Sequence, residues 1–208
     1  YKWAIFHKDG KRITQWYDTI YSAGLVGGQS NLYVAKNGNR YAIFDKDGNM
    51  ITKKWFYSVS LEGLVSGESN LYIAKSRGVA IFDESGNRIS ELFDDIYSDG
   101  LVKGESNYYL AKKDDKWAIF DKDGNMITKD WFDDIEPDGL VKGQSNLYIA
   151  KKGNKYAIFD KDGNMISPKW FDWIDEYGLA WGQSKYYKAM INGKQAIFDR
   201  DGKMITKE

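Results

Sequence analysis

The chain has 208 residues, 42% of them hydrophobic and 16% aromatic, enough for a sizeable core beneath a surface that is 29% charged. Lysine plus arginine and aspartate plus glutamate total 30 each, so there is no basic excess to meet a nucleic-acid backbone and no polybasic block for anionic lipid. Cysteine is absent, which excludes disulfides and thiolate metal sites, and no apolar run approaches the roughly 20 residues of a membrane-spanning helix.

The chain opens at Tyr1 with neither Met nor signal peptide, which reads as a processed or trimmed chain. The first stretch, Tyr1 to Tyr17, carries the motif A-I-F-[DH]-x-x-G-x-x-I, which begins at Ala4 and returns at Ala42, Ala80, Ala118, Ala157 and Ala196, at spacings of 38, 38, 38, 39 and 39. A second motif, G-L-[VA]-x-G-[EQ]-S-[NK]-x-Y, begins at Gly24, Gly63, Gly100, Gly139 and Gly178. A period of that length means a repeat architecture. A single repeat domain is expected over 1–208, with a surplus half unit at 1–23 and complete units at approximately 24–62, 63–99, 100–138, 139–177 and 178–208.

Within a unit the pattern predicts four short strands. In the copy that begins at Gly139 they are Leu140 to Gln144, Leu147 to Lys151, Lys155 to Asp160 and Asn164 to Phe171, with turns at Lys152-Gly153-Asn154 and Lys161-Asp162-Gly163. Short β-branched and aromatic runs between D-G and G-N signals read as hairpins, and no segment sustains a helical period. Alternation puts Tyr156 and Ile158 on one face and Ala157 and Phe159 on the other, so both faces are apolar. Such a sheet must be covered on both sides, and identical units achieve this by stacking. The expected fold class is therefore all-β, tandem four-stranded repeats, β-propeller-like with five or six blades; an open β-solenoid or stacked array is the alternative. The surplus hairpin fits a six-place ring with one place part-filled, a cap on an open stack, or a fragment of a longer array.

Units such as Lys116 to Val141 (K-W-A-I-F-D-K-D-G-N-M-I-T-K-D-W-F-D-D-I, then G-L-V) resemble the bacterial WG, or KWG, repeats. The Gly of Trp-Gly is Ala in all six copies here, and Trp precedes it only at Trp3 and Trp117. The resemblance implies a bacterial, non-catalytic module, often exported.

Candidate sites are few. The D-K-D-G-N turns at Asp45, Asp121 and Asp160 place Gly fourth, not sixth as a calcium loop requires, and read as hairpin turns. The pairs Asp94-Asp95 and Asp133-Asp134 point to opposite faces, and the first Asp of each reads as a turn acceptor. His7 is the only histidine, and the [EQ]-S pairs have no base beside them, so no catalytic residue, metal site or cofactor is expected. The repeated Trp-aromatic step (Trp16, Trp55, Trp131, Trp170) reads either as packing between units or as aromatic platforms. Trp173 and Trp181 break the pattern where other units carry small or polar residues, and are expected to be exposed. With Gln183 and Ser184 they complete the candidate ligand-binding set. The expected function is a non-catalytic binding scaffold for a protein or glycan, without nucleic-acid binding or membrane insertion. The expected setting is extracellular, cell surface or periplasm, with a cytoplasmic address left open. The alternative is a self-associating structural repeat, and a hydrolase ranks last.

Overall fold

The computed structural model describes residues 1–175 and 177–206. It is all-β and holds five three-stranded antiparallel sheets, one per repeat. Sheet 1 comprises β1 (Thr19–Tyr21), β2 (Leu32–Asn37) and β3 (Arg40–Asp45); sheet 2 comprises β4 (Ser58–Val59), β5 (Leu71–Lys75) and β6 (Val79–Asp83). Sheet 3 has β7 (Asp95–Tyr97), β8 (Tyr108–Lys113) and β9 (Lys116–Asp121); sheet 4 has β10 (Asp134–Glu136), β11 (Leu147–Lys152) and β12 (Lys155–Asp160). Sheet 5 has β13 (Trp173–Ile174), β14 (Tyr186–Ile191) and β15 (Lys194–Asp199). Each is an up-and-down meander of the kind that forms a propeller blade. By contact the chain forms two compact units, Tyr1–Phe93 with Val102–Gly104, and Asp94–Leu101 with Glu105–Glu208. Sheets 1 and 2 with the N-terminal hairpin belong to the first, and sheets 3 to 5 to the second.

Two expected strands take another form. The G-L-V runs, Leu140 to Gln144 among them, are turns or single helical turns, such as α1 (Ala23–Val26) and α2 (Asp99–Val102). The first strand of each sheet is instead the short step just before that run, so the sheets are offset from the sequence units. The reason is close approach: a Cβ on Gly100 would lie 1.7 Å from the Val141 carbonyl oxygen of the next copy, which no extended strand with side chains permits.

The segment Asn164 to Phe171 pairs only at its ends, through Phe159 with Met165 and Tyr156 with Phe171. Between them the backbone bulges, and a hydroxyl replaces the missing carbonyl acceptor. The Ile158 N–H donates to Ser167 Oγ at 3.2 Å, as Ile43 does to Thr52 (3.3 Å) and Ile81 to Ser90 (2.9 Å). Buried amides need a partner, so this Ser/Thr position is structural.

The two faces of a sheet differ in composition. Register pairs Tyr148 with Phe159 and Ala150 with Ala157 on one face, and Ile149 with Ile158 on the other. The Tyr-Phe rings stack 5.3 Å apart. In the second compact unit, the aliphatic face of sheet 3 (Leu110, Ile119) meets the aromatic face of sheet 4, and the aliphatic face of sheet 4 meets Tyr187, Ala189 and Phe198 of sheet 5. In the first, Val34 and Ile43 of sheet 1 meet Tyr72, Ala74 and Phe82 of sheet 2. Within its unit, sheet 4 is thus covered front and back by its neighbours, as the alternation requires. Fully burying one such aliphatic side chain is worth roughly 1.5–3 kcal/mol.

Candidate functional site

The repeated polar residues are held in structural roles. In the D-K-D-G-N turn, Asp45 Oδ1 accepts from the amides of Asp47 (2.9 Å) and Asn49 (2.8 Å), while Asn49 Nδ2 donates to Oδ2 at 2.9 Å. Gly48 completes the turn at φ +87°, a conformation L side chains rarely adopt. Burial raises the Asp45 carboxyl, but the Asn49 amide and the turn N–H groups outweigh it, and the group lies below its ordinary value.

The first Asp of the acidic step caps the turn between the long strands, as expected. Asp18 Oδ2 accepts from Gly38 N (2.7 Å), Asp94 Oδ2 from Asp114 N (2.9 Å), Asp133 Oδ2 from Gly153 N (2.6 Å) and Asp172 Oδ2 from Asn192 N (2.7 Å). The other oxygen of three of them meets a lysine of its own copy: Lys2 with Asp18 at 2.7 Å, Lys116 with Asp133, and Lys155 with Asp172. Those ammonium groups, followed by the turn amides, hold the three carboxyls below the usual aspartate range. One copy exchanges both partners: Tyr57 stands for the Asp, and Arg40 lies 3.5 Å from its ring centre.

The [EQ]-S pairs prove to be junctions. Ser30 Oγ donates to Val65 O (2.6 Å), Ser69 to Val102 O (2.6 Å), Ser106 to Val141 O (2.5 Å), and Ser145 to Ala180 O. Each crosses to the G-L step of the next copy and also accepts its own strand's first amide, as Leu32 N donates to Ser30 Oγ at 3.2 Å. In the last copy Ser184 is exposed and only accepts, from Tyr186 N at 3.0 Å. Gln183 beside it is exposed as well.

The aromatic candidates divide. Trp55 and Trp170 are half-buried between copies: Trp55 lies 6.1 Å from Tyr17 and 5.9 Å from Phe44, Trp170 6.4 Å from Phe132 and 5.9 Å from Phe159. Trp131, also half-buried, lies 5.9 Å from Phe120 of its own copy. Trp16 is 50% exposed, edge-on to Phe6 and beneath Arg12. Trp173 is 38% exposed, with the Lys188 ammonium 5.9 Å from its ring centre. Trp181 corrects the expectation of exposure: it is half-buried against the sheet 5 cluster, with Nε1 shielded and without a hydrogen-bond partner. Its ring lies 4.5 Å from Tyr177, and it is Tyr177, 59% exposed, that presents the outer surface. Tyr177 falls outside both repeated motifs, so the sequence carried no signal for it.

Among the described residues no helix is long and apolar enough to cross a membrane, and no group of three or more acidic or histidine side chains is placed to hold a metal. No family model and no curated protein matches the chain. Among solved structures it is similar to Kluyveromyces lactis Hsv2, at 11% identity and TM-score 0.38 over 86% of this chain and 60% of that one. It is also similar to a Bacteroides caccae protein of unknown function, at 10% identity and TM-score 0.27 over 98% of this chain and 88% of the other. The chain thus spans about 60% of the length of the Hsv2 structure it matches.

Proposed function

We propose that this chain is a non-catalytic binding scaffold of the WG-repeat kind, which engages a glycan or protein through the aromatic surface of its last repeat. The observation that carries the reading is a division of labour. The repeated acids and serines are occupied in turns and junctions, whereas residues that depart from the repeat present two separate aromatic features on the last repeat, Tyr177 over the half-buried Trp181 and the exposed Trp173 beside Lys188. Flat rings with a flanking ammonium suit sugar faces or the side chains of a protein partner. An exported setting is part of the proposal.

A glycan array with the purified chain tests it. The expected result is saturable binding to a related set of glycans, weakened at least tenfold by Tyr177→Ala or Trp173→Ala with an unchanged circular dichroism spectrum. Equal binding by the variants removes the aromatic surface from the reading. A second reading, self-association, is favoured by the bare aliphatic face of sheet 5, where Tyr186 is 50% and Ile197 40% exposed. Concentration-dependent sedimentation with no glycan bound selects it.

A further inference from the structure

Two joints between sheets are built on one frame: sheets 1 and 2 in the first compact unit, and sheets 3 and 4 in the second. Ser30 Oγ donates to Val65 O at 2.6 Å, and Ser106 Oγ to Val141 O at 2.5 Å. At each a glycine lets the two copies touch, Gly24 against the Val65 carbonyl and Gly100 against that of Val141. The run into each joint is I-Y-S-x-G-L-V, from Ile20 and from Ile96. Tyr21 and Tyr97 therefore hold one position, and Ser66 and Lys142, which follow Val65 and Val141, hold another.

At the joint of sheets 3 and 4, Lys142 fills the space between. Its ammonium is held by Asp138, four residues earlier, and lies 6.0 Å from the ring centre of Tyr97. Asp138, aided by the Tyr97 hydroxyl, outweighs burial and holds the group above the ordinary lysine value. Tyr97 is half-buried there. At the joint of sheets 1 and 2 the ring and an acid remain, but the lysine is a serine. Tyr21 is 37% exposed, and beside it lies a hollow of about 160 Å³ lined by Tyr21, Gln29, Leu61, Val65 and Ser66. Every wall comes from residues 21–66, in the interior of the chain. Glu62 stands where Asp138 does, four residues before Ser66, and Lys103 approaches it only to 3.8 Å. The Glu68 carboxylate, which accepts from Ser66 Oγ at 2.8 Å, is a second acid at the same step.

We propose that this hollow is a socket for one lysine side chain of a partner polypeptide. The stem lies on Tyr21 and Leu61 and the ammonium turns to Glu62, as Lys142 lies by Tyr97 and turns to Asp138. A lysine suits such a place because its methylenes cover apolar walls while its charged head stays at the rim, and the ring face attracts the cation. Lys142 reaches its notch from within the chain, whereas a partner's lysine must offset lost translational freedom. The socket is thus an anchor within a wider contact, and a lone lysine binds it in the millimolar range. It belongs to the first compact unit, and Tyr177 and Trp173 belong to the second, so either assignment can fail alone.

The probe is the peptide acetyl-Gly-Lys-Gly-amide, titrated into the isotope-labelled full chain, with the norleucine peptide as its uncharged match. Saturable amide shifts are expected at Tyr21, Gln29, Leu61 and Ser66. Norleucine should bind at least fivefold more weakly, and added salt should weaken the lysine peptide. Ser66→Lys supplies the side chain from within and should abolish binding. Tyr21→Ala, at an exposed ring, should weaken binding at least threefold with an unchanged circular dichroism spectrum. The proposal is overturned if millimolar lysine peptide shifts none of these amides, if norleucine binds equally, or if folded Ser66→Lys binds as the parent chain does. Should Ser66→Lys fail to fold, equal binding by Tyr21→Ala overturns it instead.

Discussion

Sheets 4 and 5 share a register and nearly a sequence, yet only one is sandwiched. On their aromatic faces they are alike: Tyr148 is 1% exposed and Tyr187 2%, Phe159 8% and Phe198 6%. On their aliphatic faces they part, for Ile158 is 0% exposed and Ile197 40%. Burial of that face is conferred by the next copy, not by the strand's own residues. The sequence registers the difference where it can: Lys188 replaces Ile149, and Gln195 replaces Tyr156. Polar residues there lower the cost of facing water, while Tyr186 and Ile197 keep the inner pattern.

The broadest test of the shared aromatic face is alkaline titration. Burial pushes the phenols of Tyr72 and Tyr187 up to about 12 from the ordinary 10.0, and those of Tyr33 and Tyr148 higher still. Their neutral forms therefore stabilise the fold fully below pH 10, and that contribution is lost as pH climbs through 12. Cooperative unfolding in that window is expected, with the last step of tyrosinate absorbance coinciding with the loss of far-ultraviolet circular dichroism. Complete tyrosinate formation in a chain that stays folded would contradict the burial of all four rings.

The aliphatic faces should separate next. Ile158→Ala empties a sandwiched site and is expected to cost about 2–5 kcal/mol in denaturant unfolding, against about 1 kcal/mol or less for Ile197→Ala. Equal losses would mean that the face of sheet 5 is covered in solution. A smaller contrast lies at the junction serines. Ser145→Ala leaves the Ala180 carbonyl without its donor and should cost about 1–3 kcal/mol, while Ser184→Ala, with no carbonyl to lose, should cost about 0.5 kcal/mol. The smallest effect is expected for Tyr148→Phe, because the Tyr148 hydroxyl is buried without a hydrogen-bond partner. Stability should hold or rise by up to about 1 kcal/mol, with the ring stack on Phe159 retained. A clear loss would reveal a partner for that hydroxyl.

Much of this was legible in the sequence because the cues were local and repeated. Alternation in Tyr156-Ala157-Ile158-Phe159 predicts two apolar faces, and the D-x-D-G spacing predicts the turn that Asp160 and Gly163 make. What escaped depends on contacts between copies. The Leu140-Val141 pair reads as a strand by composition, but the approach of a neighbouring copy to Gly100 and its equivalents makes it a turn. The role of Ser145 needs a carbonyl 35 residues away. Trp181 looked exposed because its counterparts are polar, and only the folded chain reveals Tyr177 lying over it.

The Ser-to-carbonyl link has a consequence for how such a chain changes over generations. Because the link always joins one copy to the next, recombination that inserts or deletes a whole period leaves every surviving junction with its donor and its acceptor. An exchange that breaks within a period strands one half of a junction. Copy number is therefore free to drift, while the phase of the breakpoints is held fixed.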